Sequence, residues 1–245
     1  MAEVMARRKA VRDGGLSPDA DVPFWQQRSI ERSLEGARLR AQERSDRFVT
    51  AALELIVERE TGDFTIEEVG DRAGMSLRTF YAFFDSRDSL MLAIYDTIMS
   101  KSAVPVLTER LAHASDPVLR LKALVDAVFD ITSVPPPLAR ALTVFHLRLA
   151  ESRPRDLAQA LAPFTRLVTD LLAGMAQAGL LREDLDLDVM SAMVQGLLLT
   201  SAHNLVLGGS RVVSAADLWA FCSAAIMRRS DPPFMLSADE SRAKA

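Results

Sequence analysis

Thr65-Ile66-Glu67-Glu68-Val69-Gly70-Asp71-Arg72-Ala73-Gly74-Met75-Ser76-Leu77-Arg78-Thr79-Phe80-Tyr81-Ala82-Phe83-Phe84-Asp85-Ser86-Arg87 opens three helices in 23 residues. Thr65 and Glu68 have the S/T-x-x-E spacing of a capping box, in which each side chain accepts the other residue's backbone N–H. The helix they start ends at Gly74, because glycine takes a left-handed C-terminal position without the steric cost of a Cβ. Ser76 caps a second short helix, Leu77 to Phe84. Ser86 or Asp85 caps a third, from Arg87 to about Ser102. Two short helices joined by the tight turn Gly74-Met75-Ser76 predict a helix-turn-helix.

Outward from this stretch the helical period continues. Arg44 to Glu60 carries Phe48, Ala51, Ala52, Leu55 and Ile56 as an i, i+3, i+4, i+7, i+8 stripe and stops at Thr61-Gly62-Asp63. Residues 24–41 place Trp25, Ile30, Leu34 and Ala37 at helical spacing and read as a separate amphipathic helix, weakened by Gly36. Residues 1–22 are polar, with a basic cluster, and read as an arm. Downstream, Pro105 and Asp116-Pro117 mark helix starts. Pro135-Pro136-Pro137 and Pro154 separate neighbours, and Gly179 and Gly208-Gly209 end helices. Candidate helices run 104–114, 117–132, 136–152, 155–178, 186–208 and 214–229, and no segment alternates with period 2. The fold class is therefore all-α. It divides into an extension (1–42), a three-helix head (43–90), a body of about six helices (91–230) and a tail (231–245).

Composition excludes several classes. The 245 residues are 49% hydrophobic and 25% charged, so most of the chain is too apolar for intrinsic disorder. The single cysteine, Cys222, allows no intrachain disulfide or Cys-based zinc site and fits a cytoplasmic protein. No apolar run follows the basic start, so a secretory leader is not expected. Val189–Ser210 is uncharged and long enough to span a bilayer. Ser191, Gln195, Thr200, Ser201, His203 and Asn204 would make that span costly, so it reads as a core or interface helix, with no membrane partner. The three histidines form no i, i+4 pair, and no phosphate-cradling Gly loop or G-x-S-x-G elbow occurs, which argues against an enzyme. The acidic run Glu183–Asp188 lacks the Gly and closing Glu of a calcium loop and reads as acids at a helix N-terminus. No metal or cofactor is expected.

A helix-turn-helix lays its second helix in the DNA major groove, with the first bracing it across the backbone. Here the sequence resembles the TetR family of bacterial one-component regulators. The resemblance rests on Ala51-Ala52-Leu53-Glu54-Leu55-Ile56, on Phe64 to Ser76 and on Thr79 to Leu90. It implies a three-helix DNA-binding head and an all-helical ligand-sensing body. It also implies a homodimer built on roughly residues 186–229, and a repressor released from an inverted-repeat operator by a small-molecule effector. The alternatives are a DNA-binding regulator controlled by a protein partner without a small-molecule effector, or an all-α enzyme.

The resemblance also implies site residues. Thr65 offers a hydroxyl and backbone N–H to phosphate. Ser76 and Leu77 open the reading helix, Arg78 and Thr79 reach base edges, and Tyr81 meets backbone or a thymine methyl. Arg87 stands where the family has a phosphate-binding Lys, and Arg47 lies near the start of the first family helix. Two positions depart from the pattern: Phe83 replaces a His or Tyr that donates to phosphate, and Arg78 replaces a common Gly. For the effector, an apolar pocket with a few polar groups is expected. Its candidates are Met99, Phe129, Phe145, His146, Met175, Gln195, His203 and Asn204.

Charge adds a constraint. The whole chain carries −4, residues 1–48 carry +2 and residues 49–100 carry −6. A head this acidic must turn its carboxylates away from phosphate, and few of its cations can neutralise DNA.

Overall fold

A computed structural model of the chain describes residues 23–59, 63–130, 135–208 and 213–228. The expected arm, the stop at Thr61-Gly62, Gly209 and the tail from Asp231 lie outside the described residues. Among the described residues the regular structure is helical: α1 (Phe24–Arg59), α2 (Ile66–Ala73), α3 (Leu77–Tyr81), α4 (Arg87–Ile98), α5 (Val104–Ala112), α6 (Pro117–Phe129), α7 (Pro136–Ser152), α8 (Pro154–Gln177), α9 (Leu187–Leu207) and α10 (Ala215–Ile226). One isolated antiparallel bridge joins Leu181 to Met227.

The two expected helices 24–41 and 44–60 are one helix, α1. Between them stand Gln42 and Glu43, flanked by Ala41 and Arg44, all good helix formers, and no proline or glycine stops the helix there; Gly36 is absorbed within it. The described residues fall into two units, divided between Arg47 and Phe48. In the first, α1 exposes Trp25, Ile30, Leu34 and Leu39.

In the second unit, residues 48–59 of α1 pack with α2 and α3 around a core of Phe48, Ala52, Leu55, Ile56, Val69, Phe80 and Phe84. Phe48 meets Phe80 edge-on at 5.4 Å and Phe84 at 6.1 Å, a favoured aromatic geometry. The capping box of α2 forms as expected, with Thr65 Oγ1 accepting from the Glu68 amide at 3.2 Å and Glu68 Oε2 from the Thr65 amide at 2.8 Å. Gly74 ends α2 at φ 65°, in the left-handed region. Gly70 has a second reason to be glycine, since a Cβ there would stand 3.0 Å from the Met75 carbonyl oxygen. The reading helix is shorter than expected: it ends at Tyr81 and turns through Ala82 and Phe83.

The expected restart at Pro105 is also corrected. Helix runs from Arg87 to Ala112, with Met99–Ala103 as a π turn between α4 and α5. Pro105 lacks the N–H that would bond back one turn, and the wider turn just before it accommodates that loss. The body core gathers Leu121, Leu124, Val168, Leu172, Met175, Val194, Leu198 and Cys222 from α6, α8, α9 and α10. The acids before α9 are structural: Asp186 caps it by accepting from the Asp188 amide at 2.8 Å, and Asp184 pairs with Arg182. Arg87–Ala112 and Leu187–Leu207 are each long and apolar enough to cross a membrane by length and composition. Both helices pack in the bundle, α9 burying Met190, Ser191, Val194 and Leu198.

Phe80 is fully buried and Tyr81 is 57% exposed. Phe80→Ala is expected to cost about 3–5 kcal/mol, and Tyr81→Ala about 0.5 kcal/mol or less. Urea unfolding of the two variants checks this; equal losses would show that α3 is not anchored through Phe80.

Candidate nucleic-acid interface and ligand cavity

The five-residue α3 is too short to hold itself helical in water. Its N-terminus is fixed by Ser76, whose Oγ accepts from the Thr79 amide at 3.2 Å and lies 3.0 Å from Thr79 Oγ1. Its body is fixed by Phe80. With Phe80 inward, Leu77 (38% exposed), Arg78 and Tyr81 are left at the surface. Ser76 is exposed beside them, and Thr79 is half-buried. Phe83 turns inward too, 6.3 Å from the Phe48 ring.

Four cations lie in residues 49–100, and three have partners within the fold. Arg59 forks onto Glu68 at 2.6 and 2.9 Å. The same hydrogen bonds hold the Glu68 carboxyl down at about 2. Arg72 forks onto Glu58 at 2.6 and 2.7 Å and reaches Glu54 at 3.4 Å. Arg87 lies over the Phe64 ring at 4.6 Å and the Phe145 ring at 5.1 Å, and pairs with Asp63 at 3.6 Å. Arg78 is engaged with no other described residue. Thr65 gives its backbone N–H to Glu68, its Oγ1 accepts from the Glu68 amide and its hydroxyl also helps hold the Glu68 carboxyl down, so the backbone N–H expected for a phosphate is taken up inside the capping box. Arg47 is exposed on α1, within the first unit.

Arg87 ties the head to the body, because Phe64 precedes α2 and Phe145 lies on α7. Two ion pairs reinforce this junction: Asp85 with Arg153 at 3.1 Å and Asp88 with Arg148 at 3.2 Å. Further along α4, Tyr95 Oη lies 3.1 Å from His146 Nδ1 on α7. The His146 ring stacks obliquely on His203 of α9, with centroids 4.6 Å apart.

Tyr95 also lines a cavity of about 420 Å³. Of the eight residues named from sequence, Met99 and His203 line it. His146 stands behind Tyr95, and Phe145 and Met175 belong to the head and body cores. Phe129 packs at the edge of the body core, Gln195 is half-buried and Asn204 is exposed. The lining missed from sequence includes Val106, Arg110, Leu142, Thr143, Leu198 and Val206. Tyr95, Met99, Ser102, Val106 and Arg110 recur at steps of four and three, so the phase of this helix carried the signal. Arg110 pairs with Asp130 at 2.9 Å, and both line the cavity.

Residues 48–94 match the family model described as "Bacterial regulatory proteins, tetR family". Among curated proteins, the chain is 34% identical over 95 residues to the HTH-type transcriptional activator FasR of Mycolicibacterium smegmatis. That match covers 39% of this chain and 43% of FasR. It is 26% identical over 82 residues to the HTH-type transcriptional regulator EthR of Mycobacterium tuberculosis, covering 34% and 38%. The chain thus spans less than half the length of these relatives. By structure it is similar to RolR solved with resorcinol (TM-score 0.59, 19% identity, 77% of this chain and 90% of that one). It is also similar to FadR of Bacillus subtilis solved with stearoyl-CoA (TM-score 0.56, 16% identity, 73% and 93%). These neighbours share the all-helical fold, and the matched family and relatives are regulators rather than enzymes.

Burial, and then the neighbouring His203, push His146 down from 6.5 to about 4; burial lowers His203 as well. A histidine lowered on folding stays neutral while the unfolded chain takes up a proton. The stability it lends is therefore complete above about pH 6.5 and lost as the pH falls toward 4. Thermal unfolding should give a Tm that drops between pH 7 and pH 5, with a shallower drop in His146→Gln. Glu68, held at about 2, titrates below that window. A Tm that stays flat from pH 7 to 5 contradicts a neutral buried pair.

Proposed function

We propose, from the match of residues 48–94 to the TetR family of bacterial regulatory proteins, that the chain is a sequence-specific DNA-binding transcriptional repressor of that family, acting in the cytoplasm as a homodimer under the control of a small-molecule effector. The observation that carries this reading is the surface of α3. A capped, core-anchored helix presents Leu77, Arg78 and Tyr81 outward, with Arg78 the cation of residues 49–100 that no other described residue engages. An exposed Arg at the start of a reading helix can pair with guanine through two hydrogen bonds. Ser76 and Thr79 beside it supply hydroxyls, and Thr65 a hydroxyl for phosphate. Arg87 serves the head by fixing its attitude to the body, and any phosphate contact it makes is secondary to that.

Dimerisation through residues 186–229 is supported by the apolar side chains that α9, α10 and the residues before α10 leave exposed: Val189, Met193, Leu207, Val213 and Phe221. Two-fold symmetry then requires an inverted-repeat operator, with half-sites about one helical turn or more apart. The effector occupies the 420 Å³ cavity. The fold neighbours were solved with ligands as different as an aromatic diol and a long acyl thioester, and this cavity's apolar wall suits a hydrophobic or amphipathic molecule. Tyr95 and Arg87 lie two turns apart on α4, so a ligand against Tyr95 acts on the helix that also holds the Arg87 junction. Effector and DNA each weaken the other's binding, as linkage requires.

Selection of bound duplexes from genomic fragments tests the reading. Wild type should enrich an inverted repeat, and Arg78→Ala should lose about 1–3 kcal/mol of discrimination at one base pair per half-site with little loss of stability. Unchanged discrimination would remove Arg78 from base reading. Release of the duplex by a protein extract, with no response to apolar small molecules, would favour control by a protein partner.

A further inference from the structure

With Arg59, Arg72 and Arg87 engaged inside the fold, residues 49–100 leave Arg78 as the cation able to meet DNA, and one cation gives a weak grip on a polyanion. The first unit carries the opposite balance. Residues 24–47 hold six arginines and four acids. Ser29, Ser33, Gly36, Arg40, Arg44 and Arg47 recur along α1 at steps of four and three, so they share one face. Glu31, Glu35 and Asp46 fall on the other side, and Glu43 borders the arginine face. Arg40 and Arg44 are exposed, and neither is engaged in an ion pair with another described residue. The Arg40 guanidinium lies back over Gly36, 3.6 Å from where a Cβ would stand there. Like charges at i, i+4 disfavour a helix, so placing Arg40 and Arg44 in register is a local cost that a polyanion on that face offsets.

We infer that this face of α1 is a second DNA-binding surface, one that grips the sugar–phosphate backbone without reading sequence. Arg40 and Arg44 neutralise phosphates. Ser29 and Ser33 supply hydroxyl donors of the kind phosphate oxygens accept. The small residues on the N-terminal part of the face let a backbone approach closely. The surface has the character of a non-specific clamp: it raises affinity for any duplex alike and makes binding depend on salt. The inference rests on the DNA-binding reading above.

The test is the double variant Arg40→Gln, Arg44→Gln, with Glu31→Gln, Glu35→Gln as the opposite-face control. Binding to a mixed-sequence 30-base-pair duplex is titrated over a salt series, after circular dichroism shows unchanged helix content. Each lost phosphate contact lowers the slope of log affinity against log salt by about 0.9. The double variant should therefore lose about 1.8 per protomer, so a fourfold rise in salt weakens it roughly tenfold less than wild type. The ratio of selected to mixed-sequence affinity should stay unchanged, because both lose equally. The control should keep the wild-type slope or steepen it. Wild type that binds, with the double variant's slope unchanged, overturns this surface. Wild type that binds no duplex at low salt overturns the DNA-binding reading itself. Loss of binding to anionic phospholipid vesicles with an unchanged DNA slope would assign the face to a membrane and overturn the proposal.

Discussion

A helix of five residues cannot hold its own shape in water, and α3 is that short. Its direction depends on one side chain, Phe80, buried against Phe48 and Phe84. Because Phe80 points inward, Arg78 and Tyr81 on the same short helix are left outside. The rest of the head supports that arrangement. Gly70 lets α2 close onto the turn, Gly74 reverses the chain, and the forked Arg59–Glu68 and Arg72–Glu58 pairs tie α2 to α1. These pairs lie at the surface and each is worth little alone. Their larger effect is on charge, since they occupy cations and carboxylates together and leave Arg78 as the open cation of residues 49–100.

The link from cavity to head runs along α4. Its first residue, Arg87, lies between an aromatic ring before α2 and another on α7. Two turns further on stands Tyr95, which lines the cavity and meets His146, itself against His203. On the proposed reading α4 is the lever between effector and head, and the π turn at Met99–Ala103 lies just beyond Tyr95. Burial favours the neutral form of both histidines, so Tyr95 and His203 give the cavity wall hydrogen-bonding groups without charge, in addition to the Arg110–Asp130 pair.

Much of the head was legible in the sequence because its signals are local. The capping box at Thr65, the Gly74 stop and the Ser76 cap act within four residues, and the Phe48–Ile56 stripe faces one way whatever it packs on. What was not legible depends on contacts distant in sequence. Nothing near Arg87 announces that Phe64 and Phe145 will bracket it, so a phosphate contact was the natural expectation. The break expected between residues 41 and 44 is absent because α1 runs through it, and the restart expected at Pro105 is replaced by a π turn just before it. The cavity was hardest to read, since its wall is drawn from α4 to α9 and any apolar residue of the body looks alike until those helices are placed. Met99 and His203 were found because one is soft and the other polar in an apolar run; Val106 and Leu198 carry no such mark.

Photo-crosslinking tests the central claim, that α3 faces DNA bases, most directly. With benzoylphenylalanine in place of Tyr81, irradiation of the complex with a selected duplex should give one protein–DNA adduct per half-site, mapping within the inverted repeat. No DNA adduct from a variant that still binds the duplex, or adducts lying only outside the repeat, would contradict the account.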